Sequence, residues 1–185
     1  MWTRNGHSNI RERMTCIVRT RPGNPAQGLL FLGNRALQCA LGKSGVTTIK
    51  GEGDGATPAG TWNFLEVRYR ADRVSRPVSR LPVRRARKRD GWCDTSGDRN
   101  YNRPVTLPYP RSAETMWRDD HIYDLVVVLS HNQCPRVRER GSAIFVHLNR
   151  EGYTPTQGCV ALSQCHLRQL LALCGPGDRL RIIAT

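Results

Sequence analysis

Two neighbouring stretches carry the strongest signal in the chain: SAIFVH at residues 142–147 and TQGCVAL at residues 156–162. In the first, an apolar segment ends at His147. In the second, Cys159 directly follows Gly158 and opens another apolar run. Short apolar runs bounded by turn residues are typical of strands. The pattern therefore predicts a histidine at a strand end and, after a turn-rich loop, a cysteine that can meet it.

A thiol beside an imidazole is a candidate nucleophile and base, because the imidazole can take the thiol proton and leave a thiolate. Gly158 leaves room for a substrate carbonyl, so the amides of Gly158 and Cys159 are expected to be oxyanion-hole donors. We expect Cys159 to lie near the helix that begins at Ser163, whose dipole favours a thiolate. This pattern favours acyl transfer; a buried structural cysteine with a surface histidine is the alternative.

The composition indicates one soluble globular domain. The chain has 185 residues, of which 38% are hydrophobic, and a mean hydropathy of −0.52. No apolar run approaches the ~20 residues that cross a bilayer, so we expect no transmembrane segment. The N-terminus is polar and lacks the apolar core of a secretory signal. As written, the sequence predicts a cytoplasmic protein; a shortened sequence or a misplaced start would make it periplasmic.

Basic residues dominate the charge, with a formal net charge of +14 and a pI of about 10.4. Such a chain favours polyanions: nucleic acid, anionic lipid or acidic wall polymer. The densest basic run, residues 80–89, is either a contact for such a polymer or a solvated, mobile loop. It has no interleaved aromatic residues for base stacking. A nucleic-acid-binding module with a structural Cys159 is the alternative from another class; nucleic acid is not an expected requirement.

The seven cysteines suit a reducing compartment better than a disulfide framework. Their number is odd, so at least one is unpaired in a monomer, and no C-x-x-C pair occurs. A zinc site built from Cys159, Cys165, His166 and Cys174 would lack the tight ligand pairs of structural zinc sites. We therefore expect no metal.

Turn residues punctuate short apolar runs and predict a mainly β fold with a C-terminal helix. The helix is expected at residues 163–174, where Ser163 can cap it. Strands are expected near residues 16–20, 28–32, 36–41, 61–67, 124–132, 143–148 and 179–183.

The domain organisation follows from the same reading. Residues 1–14 are expected to form an N-terminal arm and residues 15–185 one catalytic domain. Residues 70–120 show little periodicity and predict a long irregular lid or insertion. Its aromatic residues either line a substrate groove or cover a satellite core: Trp92, Tyr101, Tyr109 and Trp117.

The chain resembles the L,D-transpeptidase catalytic-domain family, also called YkuD. That family's active-site motif is a histidine at a strand end, a variable loop, and Ser/Thr-x-Gly-Cys followed by an apolar residue. Here it reads His147 and then Thr156 to Val160. Residues 57–62, TPAGTW, resemble the family's Thr-Pro-x-Gly-x-aromatic segment. The resemblance spans residues 15–185 and implies a β-sandwich-like catalytic domain.

The resemblance implies a cysteine enzyme that acts on peptidoglycan stem peptides or muropeptides without metal or organic cofactor. Cys159 would attack the carbonyl between the diamino acid at position three and the terminal D-alanine. His147 would take the thiol proton and later protonate the departing D-alanine. Transfer to an amine gives an L,D-transpeptidase. Transfer to water gives an L,D-carboxypeptidase, the alternative, since a member without a signal sequence would meet recycled muropeptides in the cytoplasm. The choice of acceptor depends on the shape of the groove, which the sequence does not display.

The sequence departs from the family motif beside the cysteine. Many members carry His or Arg where this chain has Gln157, and Arg where it has Ala161, which puts recognition of a substrate carboxylate in doubt. Thr156 and Gln157 are expected to contact substrate. His131 and Asn149 are further candidates, with a satisfied strand-end histidine as the alternative for His131. The oligomeric state is not indicated.

Overall fold

The computed structural model describes residues 12–184. Most of the predicted N-terminal arm, residues 1–11, therefore lies outside the described residues. Within the described part, Met14 donates its amide to the buried Asp178 side chain at 2.8 Å, just before the first strand begins.

The described residues form fourteen strands, one α-helix and a short 3-10 helix. The α-helix is α1 (Gln164–Leu173), and the 3-10 helix spans Glu151–Tyr153. The strands are β1 (Thr15–Arg21), β2 (Asn24–Leu32), β3 (Arg35–Ala40), β4 (Val46–Thr47), β5 (Thr57–Pro58), β6 (Gly60–Tyr69), β7 (Val83–Arg85), β8 (Asp90–Cys93), β9 (Pro104–Thr106), β10 (Ala113–Thr115), β11 (Leu125–Leu129), β12 (Phe145–Leu148), β13 (Val160–Leu162) and β14 (Arg179–Ile183).

The main sheet closes on itself. Its strand order is β11-β12-β13-β3-β2-β1-β14-β6-β7, and β11 also pairs with β6. The β6–β11 pair therefore completes a ring of eight strands, and β7 pairs with β6 outside that ring. The predicted fold class, mainly β with a C-terminal helix and broadly sandwich-like, is confirmed, and the sheet has the character of a barrel.

Strand β11 is buried on both of its faces. Leu125, Val127 and Leu129 point into the main core, whereas Val126 and Val128 belong to a second apolar cluster on the outer side. All five residues are buried. Two-sided burial explains why this segment is a continuous apolar run instead of an alternating pattern.

Residues 70–120 cover that outer side and are more regular than the sequence predicts. Strands β8, β9 and β10 form a separate three-stranded sheet, and β7 extends the barrel sheet. These short strands were not predicted from the sequence, because strands of three or four residues are too short to show a period-two pattern. Trp92 lies in the second cluster and Tyr101 is buried, as expected for a satellite core.

Helix α1 forms where its sequence signals predict it. Ser163 is the N-cap and its side chain accepts a hydrogen bond from the His166 amide at 3.2 Å. Leu167, Leu170 and Leu171 bury one face of the helix in the main core. No helix among the described residues is long and apolar enough to span a bilayer.

Candidate functional site

Strand register brings His147 and Cys159 to the same face of the barrel wall. Strands β12 and β13 are parallel, with His147 opposite Ala161. Cys159 precedes Ala161 by two residues and thus points to the same side as Ala161. Phe145, two residues before His147, accordingly meets Cys159, and its amide donates to the sulfur at 3.3 Å.

The His147 side chain is fixed in one orientation. Its Nδ1 lies 2.8 Å from the carbonyl oxygen of Leu148, so Nδ1–H donates to that oxygen. The ring of Tyr123 packs edge-on against the imidazole with centroids 5.3 Å apart. Burial lowers the pKa of His147 to about 4. The imidazole is therefore neutral at physiological pH, with Nε2 as the nitrogen that can accept a proton.

Burial also keeps Cys159 protonated. Its thiol donates to the carbonyl oxygen of Ala143 at 3.2 Å, and burial raises its pKa to about 12. The α1 dipole contributes little to Cys159, because strand β13 lies between this residue and the first turn of the helix. Dipole effects fall off within that first turn. The resting pair is thus a neutral thiol and a neutral imidazole.

Thr156 organises the loop that carries the cysteine. Its hydroxyl donates to the Cys159 carbonyl oxygen at 2.7 Å and accepts from the Gly158 amide at 3.1 Å. The Gly158 amide is therefore engaged, contrary to the expectation that it is free for an oxyanion. Gly158 has a φ of +133°, and a Cβ there would lie 2.8 Å from the Ala56 carbonyl oxygen. Only glycine fits this position without rearrangement.

The second motif of the sequence supports the same loop. The Thr57 hydroxyl accepts from the amide of Gly42 at 2.8 Å, and Gly42 forms a parallel bridge with Thr156. The next amide, of Lys43, donates to the Thr156 carbonyl oxygen at 2.8 Å. Thr57 of the TPAGTW segment thus supports, through Gly42, the loop that carries the cysteine.

Both side chains open onto one cavity of about 270 Å³. Ala161, where the family resemblance leads one to expect arginine, also lines it. Charged residues from elsewhere supply the polar lining: Lys50, Glu52, Asp94, Glu114, Arg118 and Arg150.

Two arginines on one side of the cavity share a carboxylate. Asp120 accepts from Arg118 at 2.8 and 2.9 Å and from Arg150 at 2.8 Å. These guanidinium groups hold the pKa of Asp120 well below its usual range, with Arg118 the larger cause. Arg118 also pairs with Glu114 at 3.1 Å, while burial raises the pKa of Glu114. Arg150 is about half exposed.

Of the four residues predicted to contact substrate, two line the cavity and two do not. Gln157 is exposed and, with Thr156, lines the cavity. His131 lies outside the cavity lining. Its Nε2 lies 2.9 Å from the Arg140 carbonyl oxygen, and its ring packs on Trp62 with ring centroids 4.7 Å apart. Asn149 also lies outside the lining and donates its side-chain amide to the Arg150 carbonyl oxygen at 2.7 Å. The structure therefore separates His131 and Asn149 from the proposed pair.

The cavity residues that sequence reasoning missed include Glu114, Arg118 and Tyr123. All three lie in or just after the segment that showed no periodicity. Tyr123 could have been found as an aromatic residue placed directly before the apolar β11. Glu114 and Arg118 carry no sequence signal beyond their charge.

The basic run at residues 80–89 is not a solvated loop throughout. Its centre is β7, which pairs with β6, and Leu81 and Ala86 are buried. The arginines of this region line a second, wider groove of about 820 Å³: Arg68, Arg84, Arg85 and Arg87. Of the residues that line it, none is aromatic.

Within residues 12–184 no group of three or more His, Cys, Asp or Glu side chains is arranged to hold a metal ion. Of the residues considered for zinc, Cys174 lies against Cys16, with the sulfur atoms 3.7 Å apart.

Two solved structures and one family model are similar to this chain. An L,D-transpeptidase from Mycobacterium smegmatis is 14% identical with a TM-score of 0.44, covering 93% of this chain and 59% of its own length. Mycobacterium tuberculosis L,D-transpeptidase 1 is 13% identical with a TM-score of 0.40, covering 91% and 59%. The chain thus spans about three fifths of either protein. No curated protein matches it. The model of the YkuD family, the L,D-transpeptidase catalytic domain, matches residues 17–182, and the chain therefore belongs to that family.

Proposed function

We propose that this chain is a cysteine-dependent L,D-transpeptidase that cleaves the bond between the diamino acid and the terminal D-alanine of peptidoglycan stem tetrapeptides. The observation that carries the proposal is the arrangement of Cys159 and His147. They lie on one face of two adjacent strands, they line one cavity, and the imidazole is oriented by the Leu148 carbonyl.

The first step begins from neutral partners. A thiol with a pKa of about 12 and an imidazole with a pKa of about 4 do not form an ion pair at rest. Proton transfer therefore accompanies attack: Sγ of Cys159 bonds to the substrate carbonyl carbon while Nε2 of His147 accepts the thiol proton. This differs from enzymes whose cysteine is a thiolate before substrate arrives.

The tetrahedral intermediate needs donors for its oxyanion. Since the Gly158 amide is bound to the Thr156 hydroxyl, we assign the main role to the Cys159 amide. Collapse of the intermediate breaks the carbon–nitrogen bond, and the proton on His147 goes to the departing amine of D-alanine. The product is a thioester between the tripeptide and Cys159.

The thioester then meets an acceptor. An amine gives a cross-link or an exchanged terminal residue, whereas water gives the free tripeptide of an L,D-carboxypeptidase. In both cases His147 takes a proton from the acceptor and the thiol of Cys159 is regenerated. These steps balance without a metal or organic cofactor.

Recognition of the substrate carboxylate is assigned to Arg150, assisted by Arg118. Ala161 provides no charge, but these two guanidinium groups line the same cavity and Arg150 is half exposed. Asp120 orients both groups through its hydrogen bonds. A guanidinium so oriented matches the planar geometry of a carboxylate.

The test incubates the full chain with a disaccharide tetrapeptide, alone and with a D-amino acid, and resolves products by mass spectrometry. Exchange or dimer formation supports the transpeptidase, and tripeptide alone indicates the carboxypeptidase. Cys159→Ala should abolish turnover, whereas the matched control Cys165→Ala, an exposed helix cysteine, should retain it. Full activity of Cys159→Ala, or no turnover of any stem peptide, overturns the proposal.

The nucleic-acid alternative makes a separate prediction. Binding to a polyanion through the arginine groove would weaken steeply with salt. Such binding without turnover of stem peptides would favour that alternative.

A further inference from the structure

Two of the seven cysteines form a buried pair that the proposed reaction does not use. Cys16 lies in β1 near the N-terminus, and Cys174 is the C-cap of α1. Their sulfur atoms are 3.7 Å apart, although the residues are separated by 158 positions in the chain. Both side chains are fully buried. Neither lines the catalytic cavity.

The backbone around this pair is held in place from both sides. Cys16 pairs in register with Leu180 of β14. Asp178 accepts the amides of Met14 and Gly175, each at 2.8 Å, and thereby ties the start of β1 to the loop that follows α1. The Cys174 amide donates to the Leu170 carbonyl oxygen at 2.9 Å. The two thiols are therefore adjacent because the fold requires it.

Closing the sulfur contact to a covalent bond needs only a small movement. A disulfide bond is about 2.05 Å long, so the sulfur atoms must approach by less than 2 Å. Rotation about the two Cα–Cβ bonds can supply part of this. In contrast, Cys134 and Cys165 are exposed, and Cys39 is buried beside the Gly28 backbone.

We propose that Cys16 and Cys174 are a disulfide-forming pair that staples β1 to the end of α1 when the chain folds in an oxidising environment. The oxidant is a disulfide, of low molecular weight or on a protein. One cysteine thiolate attacks it, forms a mixed disulfide and releases one thiolate. The second cysteine thiolate attacks the mixed disulfide, forms the Cys16–Cys174 bond and releases the other thiolate. Two protons and two electrons pass from the protein to the oxidant.

Burial determines when this reaction takes place. An oxidant cannot reach thiols without solvent exposure in the closed barrel, so oxidation occurs before folding is complete or while the end of α1 is open. The same burial then protects the bond from reductants. Cys159, on the outer face of the barrel, stays a thiol and keeps its proposed role. The proposal does not rest on that role.

The expected effect is a large gain in thermal stability, because the staple closes most of the chain into one loop. For a chain of this size we expect the melting temperature to rise by roughly 5–15 °C. Turnover measured well below the melting temperature should be unchanged.

The test refolds the full chain with oxidised and reduced glutathione, or with a reductant alone, and caps the remaining thiols with N-ethylmaleimide. Expression in a host with an oxidising cytoplasm replaces refolding where the yield is low. Non-reducing tryptic mapping should recover the peptide at residues 14–19 linked to the peptide at residues 169–179. Cys174→Ala should lose the link and the oxidant-dependent rise in melting temperature. Cys39→Ala, which also removes a buried thiol, should keep both.

Two results would overturn the proposal. One is recovery of residues 14–19 and 169–179 as separate capped peptides after oxidative folding, or linkage of either to another cysteine. The other is a linked chain that melts no higher than the reduced chain, since the bond would then be no staple.

Discussion

The inner and outer faces of the barrel wall formed by β11, β12 and β13 differ in composition. We assign stability to the inner face and the proposed chemistry to the outer face. The inner face is purely apolar where Val127, Val146 and Val160 meet in the main core. The outer face carries His147 and Cys159 beneath the sheet formed by β8, β9 and β10. Since adjacent residues alternate between the faces, stability and the proposed chemistry are separated by one position in sequence. Substitutions at neighbouring positions can therefore test the two faces independently.

The largest expected effect is on the outer face. His147→Gln keeps a polar side chain of similar size but removes the base, so kcat/KM for tetrapeptide should fall by about 10²–10⁴-fold. The melting temperature should change little. Mass spectrometry of product formation measures kcat/KM, and a thermal melt of the same sample measures the melting temperature. A variant with normal turnover would remove His147 from the mechanism.

The neighbouring position should give the opposite result. Leu148→Ala removes a buried side chain of the main core and should lower the free energy of unfolding by about 2–5 kcal/mol. The molecules that remain folded should keep their turnover, provided that the Leu148 carbonyl oxygen still accepts the hydrogen bond from His147. Denaturant unfolding and single-turnover assays at low temperature separate the effects. Loss of turnover with unchanged stability would contradict the division between the faces.

A smaller effect is expected at the hydroxyl that organises the cysteine loop. Thr156→Val leaves the Gly158 amide and the Cys159 carbonyl without their partner, which should cost about 1–3 kcal/mol, expressed mainly as a lower kcat. Thr47→Val is the control, because its hydroxyl also accepts a backbone amide but lies outside the cavity lining. If kcat fell equally in both variants, Thr156 would have no specific role in organising the cysteine loop.

The last expected effect is a change in the pH dependence of stability, with no loss at neutral pH. Burial lowers the pKa of His147 from 6.5 to about 4, so between these values the unfolded chain binds a proton that the folded chain does not. Stability from this residue is full above pH 6.5 and decreases as pH falls toward 4, by at most about 1.4 kcal/mol per pH unit. In urea unfolding between pH 7 and 4.5, His147→Gln should remove this contribution to the slope of the unfolding free energy against pH. His131, whose pKa is also lowered by burial, contributes equally to both proteins. Parallel curves would show that His147 is not buried as described.

The sequence predicted the inner face well and the outer face incompletely. Strands β1, β2, β3, β6, β11, β12 and β14 and helix α1 were predictable because local apolar patterns define a core. The proposed pair of His147 and Cys159 could be singled out because both residues lie in such patterns. Glu114 and Arg118 were not, since they come from short polar strands or loops that are positioned only by tertiary packing.

The misassignment of His131 has a simple geometric reason. On β11, Val126 and Val128 share the face of His147, because Val126 pairs with His147 across the antiparallel ladder. His131 lies beyond the end of β11, in the turn that follows the strand, and its ring packs on Trp62. The sequence predicts a strand as far as residue 132, whereas the strand ends at Leu129, so the position of His131 did not follow from the strand pattern.

The central claim is that Cys159 forms a thioester with the stem peptide while His147 moves the proton. The most direct measurement mixes the full chain with tetrapeptide, quenches with acid within one turnover, and locates the acyl group by tandem mass spectrometry. We predict a tripeptide adduct on Cys159, in the tryptic peptide at residues 151–168, with one D-alanine released per adduct and slower formation in His147→Gln. An adduct on Cys165 of the same peptide or on any other residue, or D-alanine release from Cys159→Ala, would contradict the account.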